Sequence, residues 1–131
     1  MSSSSTRAKF ITRFVAPSIL LSTLAHAEGI DVVFKIDESG SMGDDITAVK
    51  ANVSTIFNNL PTGSHVGLVG FGATGTHGYK PHLHRSLTTD SILFQNALDE
   101  LVASGGIEPG YDAVFLSATD SLPSGSLGFT G

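Results

Sequence analysis

The hexapeptide Asp37-Glu38-Ser39-Gly40-Ser41-Met42 places three oxygen-bearing side chains at alternate positions. In a tight turn, alternate residues can converge on one point, and Asp37, Ser39 and Ser41 each bring a hard oxygen there. Hard oxygens select Mg²⁺, Mn²⁺ or Ca²⁺ over softer metals. Two of the three donors are neutral hydroxyls, so a cation held by them stays electrophilic and can accept one more carboxylate from a partner. That is the chemistry of a binding site rather than of a hydrolytic one. The bare spacing is weak evidence, because a serine-rich helix cap reads the same way. The elements on either side decide between the two.

Before the hexapeptide, Ile30 to Ile36 is β-branched, aromatic and largely apolar, as in a strand covered on both faces. After it, Ile46, Val49, Val53, Ile56, Phe57 and Leu60 recur at steps of three and four, with Asp44 and Asp45 in a first turn where the helix dipole favours anions. Pro61 and Gly63 end that helix. The loop therefore leaves the carboxyl end of a strand and enters a helix, the place where open α/β sheets bind ligands. His65 to Phe71 reads as a second buried strand, and Pro81 to Leu87 as a third, shorter one. A second helix is predicted from Asp90 to Val102, capped by Thr89, with Ile92, Leu93, Ala97, Leu98 and Leu101 inward and Gly105 as its stop. A third starts near Pro109 and carries Tyr111, Val114 and Phe115. Leu122 to Gly131 is loop. The order predicts an α/β, doubly wound, mostly parallel sheet with the first strand central. These strands leave one edge of that strand uncovered, so the fold is expected to be incomplete at the C-terminus.

Three other patterns suggest different chemistry. Gly70-Phe-Gly-Ala-Thr-Gly75 matches a dinucleotide-binding fingerprint after a strand, with Asp90 placed for a ribose contact. The pyrophosphate needs a helix N-terminus directly after the glycines, and Thr76 to Pro81 is turn material. His77, His82 and His84 could form a transition-metal site, the last two on one strand face. Exposed strand histidines are the preferred reading, since no third ligand stands at a fixed spacing. A serine hydrolase lacks its Gly-x-Ser-x-Gly elbow.

The N-terminus, Met1 to Ala27, has the three parts of a secretory signal peptide: Arg7, Lys9 and Arg13, an apolar stretch from Phe14 to Leu24, and Ala25-His26-Ala27 as cleavage site. The stretch is too short for a transmembrane anchor. The mature chain is thus expected to run from Glu28 to Gly131 as one domain, secreted, periplasmic or at the cell surface. It carries four basic residues, Lys35, Lys50, Lys80 and Arg85, against all twelve acids. With no basic stripe, a nucleic acid partner is disfavoured. The absence of cysteine excludes disulfides and thiolate metal sites.

The stretch Asp31-Val-Val-Phe-Lys-Ile-Asp-Glu-Ser-Gly-Ser-Met42 resembles the opening of a von Willebrand factor A domain with its metal-ion-dependent adhesion site. Ser104-Gly-Gly-Ile-Glu-Pro-Gly-Tyr-Asp-Ala-Val114 resembles the second metal loop of exported bacterial members, where a Gly-Gly-Thr turn leads into a helix. The resemblance covers essentially the whole mature chain. It implies that Ser39, Ser41 and, through water, Asp37 ligate Mg²⁺, Mn²⁺ or Ca²⁺, and that a protein or peptide partner supplies a carboxylate. Ile107 stands where the family's ligand threonine belongs, and Glu108 beside it can substitute. Lys35 interrupts a strand that is usually apolar. The family's fourth strand and closing aspartate are expected beyond Gly131. The chain is thus expected to be a non-enzymatic adhesion module, the alternative being a structural or assembly domain with Ile107 marking a degenerate site.

Overall fold

The structure is a computed structural model that describes residues 28–129; the signal-peptide reading of residues 1–27 lies outside the described residues. The β-branched run after Ile30 forms strand β1, Asp31–Asp37, and a single 3-10 turn at Gly40–Met42 leads into helix α1, Gly43–Asn59. Strand β2, His65–Phe71, follows. A four-residue helix α2, Thr74–His77, precedes strand β3, His82–Thr88. Helices α3, Ser91–Asp99, and α4, Gly110–Ala118, complete the order.

The crossover through α1 makes β1 and β2 parallel, in register from Asp31 opposite His65 to Asp37 opposite Phe71. Only residues 72–81 join β2 to β3, fewer than a parallel crossover needs, and that pair is antiparallel with an irregularity between Val66 and Val69. The sheet is therefore mixed, in the order β1-β2-β3. This corrects one expectation, since the sheet is not mostly parallel among the described residues; β1 pairs with β2 alone among them, which leaves its other edge uncovered as expected. Burial agrees, since Val66 to Gly70 of β2 are all buried while β1 is half-buried along most of its length. Lys35 sits opposite Val69 and is itself half-buried, which a long aliphatic stem tolerates.

Alternation along the strands sends side chains to two cores. On one face Val66 and Leu68 meet Ile46 and Val53 of α1 and Phe94, Ala97 and Leu98 of α3. On the other, Val69 meets Leu122 and Leu127, with Val33, Leu83 and Leu116 packed around them. Helices thus cover both faces, which is the doubly wound arrangement. The buried stripe of α3 is Phe94, Ala97 and Leu98, so Ile92 and Leu93, expected inward, stand exposed at 70% and 40%. The cap is Asp90 rather than Thr89: its Oδ1 accepts from the amides of Ile92 at 2.8 Å and Leu93 at 3.2 Å. Such a cap contributes about 1 kcal/mol.

Tyr111, Val114 and Phe115 of α4 likewise point to solvent. The segment after α4, residues 119–129, has no helix or strand among the described residues, yet it runs beside β3. The Leu87 amide donates to the Leu127 carbonyl at 2.9 Å, the Leu83 amide to Ser124 Oγ at 2.6 Å, and Ser86 Oγ to the Ser126 carbonyl at 2.7 Å. Polar groups on the outer edge of β3 are thereby satisfied. Asp120, at φ 48°, turns the chain into this segment, and its carboxyl is held below the ordinary value by the Ser126 hydroxyl and then the Leu127 amide.

Candidate metal centre

Three loops meet beyond the carboxyl end of β1. In the first, Asp37 Oδ1 accepts from the Ser39 amide at 2.8 Å, and the Glu38 amide donates to the Phe71 carbonyl at 2.6 Å. In the second, after β2, Gly72 has φ 94°, and a Cβ there would lie 2.7 Å from Asp37 Oδ1. The third follows α3. The Ser104 amide donates to the Glu38 carbonyl at 2.8 Å, and the Gly40 amide to the Gly105 carbonyl at 3.0 Å. Gly105, at φ 111°, backs onto the second loop so closely that a Cβ would stand 2.5 Å from the Gly72 carbonyl oxygen. Glycine at 72 and 105 is what allows three backbones to crowd one point.

Within this frame Ser39 Oγ and Ser41 Oγ are 3.4 Å apart. Adjacent oxygens around a hexacoordinate Mg²⁺ at 2.0–2.1 Å are separated by ~3 Å, so the two hydroxyls stand within a few tenths of an ångström of ligand spacing. Ser39 is buried, Asp37 half-buried and Ser41 exposed. The donor set fits a hard divalent cation, with Ser39, Ser41 and Asp37 as the residues that would hold it. Ile107 and Glu108 lie on the exposed stretch after Gly105, and no side-chain hydrogen bond joins Glu108 to the loop among the described residues. The structure thus brings Asp37, Ser39 and Ser41 together, and Glu108 is exposed.

The glycines read as a dinucleotide fingerprint have other work. A helical turn does form there, contrary to expectation, but α2, Thr74–His77, is one turn long and contains Gly75 rather than following it. Gly72 gives room to Asp37, and Gly70 to Glu38: a Cβ on Gly70 would collide with Glu38 Oε2 and stand 2.6 Å from His84 Nε2. Asp90, the supposed ribose contact, is the cap of α3.

Glu38, which the motif's alternate spacing leaves without a role, is fully buried. Its Oε1 accepts from the Val102 amide at 3.0 Å, and its Oε2 meets His84 Nε2 at 3.1 Å. The reading of His82 and His84 as exposed strand histidines is overturned for His84, whose side chain is 1% exposed. His82 is half-buried, and its pKa is lowered, first by burial and then by the neighbouring imidazoles of His77 and His84, against the raising effect of Glu38 and Glu100. A glycine in a buried strand is a signal of close approach, and Gly70 was the clue available in the sequence. A groove of about 450 Å³ between the far end of α1 and α3, lined by Val53, Phe57 and Gln95, holds no charged side chain.

An open α/β sheet with a hydroxyl-bearing loop at a strand's carboxyl end defines a class of ligand-binding domains rather than one protein. Residues 32–124 match the von Willebrand factor type A domain, and the chain belongs to that family. Membership marks it as a protein-interaction or adhesion module. Among solved structures it is similar to an uncharacterized membrane spanning protein from Vibrio fischeri, at 26% identity and TM-score 0.57, over 70% of this chain and 49% of that one. An uncharacterized protein from Alicyclobacillus acidocaldarius is similar at 23% identity and TM-score 0.51, over 70% and 41%. The vWF domain of the type V pili tip protein Mfa5 from Porphyromonas gingivalis is similar at 22% identity and TM-score 0.46, over 60% and 28%. The chain thus spans less than half the length of each of these proteins. No curated protein matches the chain significantly. Among the described residues no helix is long and apolar enough to cross a membrane.

Proposed function

We propose that the chain is an exported, non-enzymatic adhesion module that engages a protein or peptide carboxylate through a divalent cation held by Ser39, Ser41 and Asp37. The observation that carries this reading is the pair of serine hydroxyls 3.4 Å apart over the end of β1, beside the Asp37 carboxylate. Neutral oxygens leave a Mg²⁺ ion free to bind an incoming carboxylate, and family membership supplies the adhesive context. The half-exposed Ile107, which offers no donor, favours a second reading in which the same fold serves as a metal-free assembly surface.

Thermal unfolding separates the two. A cation that binds only the folded chain at a hundred times its Kd stabilises it by about 2.7 kcal/mol, or roughly 10 °C in Tm for a domain of this size. Saturating Mg²⁺ should raise the Tm by that order relative to EDTA, and Asp37→Ala should abolish most of the rise. A Tm indifferent to Mg²⁺ in the unsubstituted chain would leave the metal-free reading standing.

Export is part of the proposal and rests on residues 1–27. Protein recovered outside the cytoplasm should begin at Glu28 on N-terminal sequencing. Recovery of an intact Met1 N-terminus from the cytoplasm alone would refute it.

A further inference from the structure

Beside the serine loop, and distinct from it, lies a cluster of imidazoles. We propose that His77, His82 and His84 form a second metal site, selective for a borderline transition metal such as Zn²⁺. Each of the three brings one ring nitrogen to within 4.8 Å of the other two. The rings of His77 and His82 stack at 4.1 Å, and that of His84 stands edge-on to both, at 5.3 Å and 5.0 Å. The sequence spacing of these residues is irregular because two come from β3 and one from the end of α2.

The Glu38 carboxylate accepts hydrogen bonds and donates none, so His84 Nε2 carries the proton in their 3.1 Å contact. That leaves Nδ1 with a lone pair, and among the described residues His84 Nδ1 is buried without a hydrogen-bond partner. His77 Nε2 is likewise buried without a partner among the described residues. Two orphaned ring nitrogens in one cluster are costly unless something satisfies them. A metal ion satisfies both at once. A carboxylate that fixes a histidine's tautomer from behind is the usual outer support of a metal-binding imidazole, and Glu38 occupies that place, itself anchored by the Val102 amide.

Three imidazole nitrogens select Zn²⁺, Cu²⁺ or Ni²⁺ over Mg²⁺ and Ca²⁺. Nitrogens bound to Zn²⁺ at 2.0–2.1 Å stand ~3.4 Å apart, so the cluster must close by about an ångström. The rings of His77 and His82 are only part-buried, and Gly78 at φ 74° follows His77, so both can rotate inward. Glu100, whose Oε2 is 3.9 Å from His84 Nδ1 and whose side chain is 65% exposed, is placed to take the fourth position, alternating with water. The site does not depend on the serine loop's holding Mg²⁺.

The test is calorimetric titration of the untagged chain with Zn²⁺ in the presence of millimolar Mg²⁺, followed by the visible spectrum of the Co²⁺ form. We expect one Zn²⁺ per chain, tetrahedral Co²⁺ bands, and a loss of Zn²⁺ affinity of at least ~100-fold in both His82→Ala and His77→Gln. His65→Ala, on the amino end of β2, should change nothing. Both substituted rings are part-exposed, and a far-UV spectrum like that of the parent chain will show that the variants fold. No Zn²⁺ binding by the parent chain, or binding by both cluster variants as strong as the parent's, would overturn the proposal.

Discussion

Glu38→Ala is expected to destabilise the folded chain by about 3–5 kcal/mol. The residue is wholly buried, and its two oxygens satisfy two donors from distant parts of the chain: the Val102 amide after α3 and the His84 ring on β3. Truncation leaves both without the carboxylate that satisfies them. An unsatisfied buried donor costs about 1–3 kcal/mol, and the lost methylene adds to that. Chemical denaturation should show the loss as a lower midpoint with an unchanged slope. Combining Glu38→Ala with His84→Leu should recover part of the loss, since one orphaned group is then removed, and the cycle isolates the pair. Gly70→Ala should be damaging for the same reason from the other side. A cost below about 1 kcal/mol for Glu38→Ala would mean that the Glu38–His84 contact does not organise this end of the sheet.

Phe94→Ala is expected to be of the same size, about 3–5 kcal/mol, by a different mechanism. Phe94 is fully buried, and its ring meets Phe34 at 5.8 Å and Phe57 at 5.5 Å in tilted arrangements. It therefore joins β1, α1 and α3 in one contact, and removing it opens a cavity that three elements would have to collapse to fill. Phe94→Leu keeps most of the volume and should cost less than half as much. Ile92→Ala, two residues earlier and 70% exposed, should stay within about 0.5 kcal/mol. The contrast tests the rotational phase of α3: if Ile92→Ala proved as costly as Phe94→Ala, the face assigned to the core would be wrong.

That phase shows where local pattern fails. The apolar residues of α3 include Ile92, Leu93, Phe94, Ala97 and Leu98, so several faces are apolar in part. Sequence alone permits Ile92 or Phe94 to face inward, and contact with Phe34 and Phe57 selects Phe94. In α1 the ambiguity is absent, because Ile46, Val49, Val53 and Phe57 lie on one stripe flanked by polar residues, and all four join one core. The Thr89 cap differs from the observed Asp90 by one residue for a similar reason. Both side chains can cap, and the start of the buried stripe decides which one does.

The candidate site divides in the same way. Asp37, Ser39 and Ser41 lie within five residues, and a strand before them and a helix after them are enough to turn them toward one point. The sheet order is not local: whether β1 lies in the middle or at the edge depends on which strands pair, and only the tertiary structure places β2 between β1 and β3.

By itself, then, the sequence determined what short-range periodicity and turn chemistry encode: an α/β chain, a hydroxyl-bearing loop at the end of its first strand, and the helix that follows. Only the tertiary structure decided that Glu38 and His84, 46 residues apart, share a buried contact, and that His77 joins His82 and His84. The physical reason is that such contacts depend on the register of β2 against both neighbours and on glycines that leave room between them. Neither register nor the space beside a glycine is carried by the residues that end up touching.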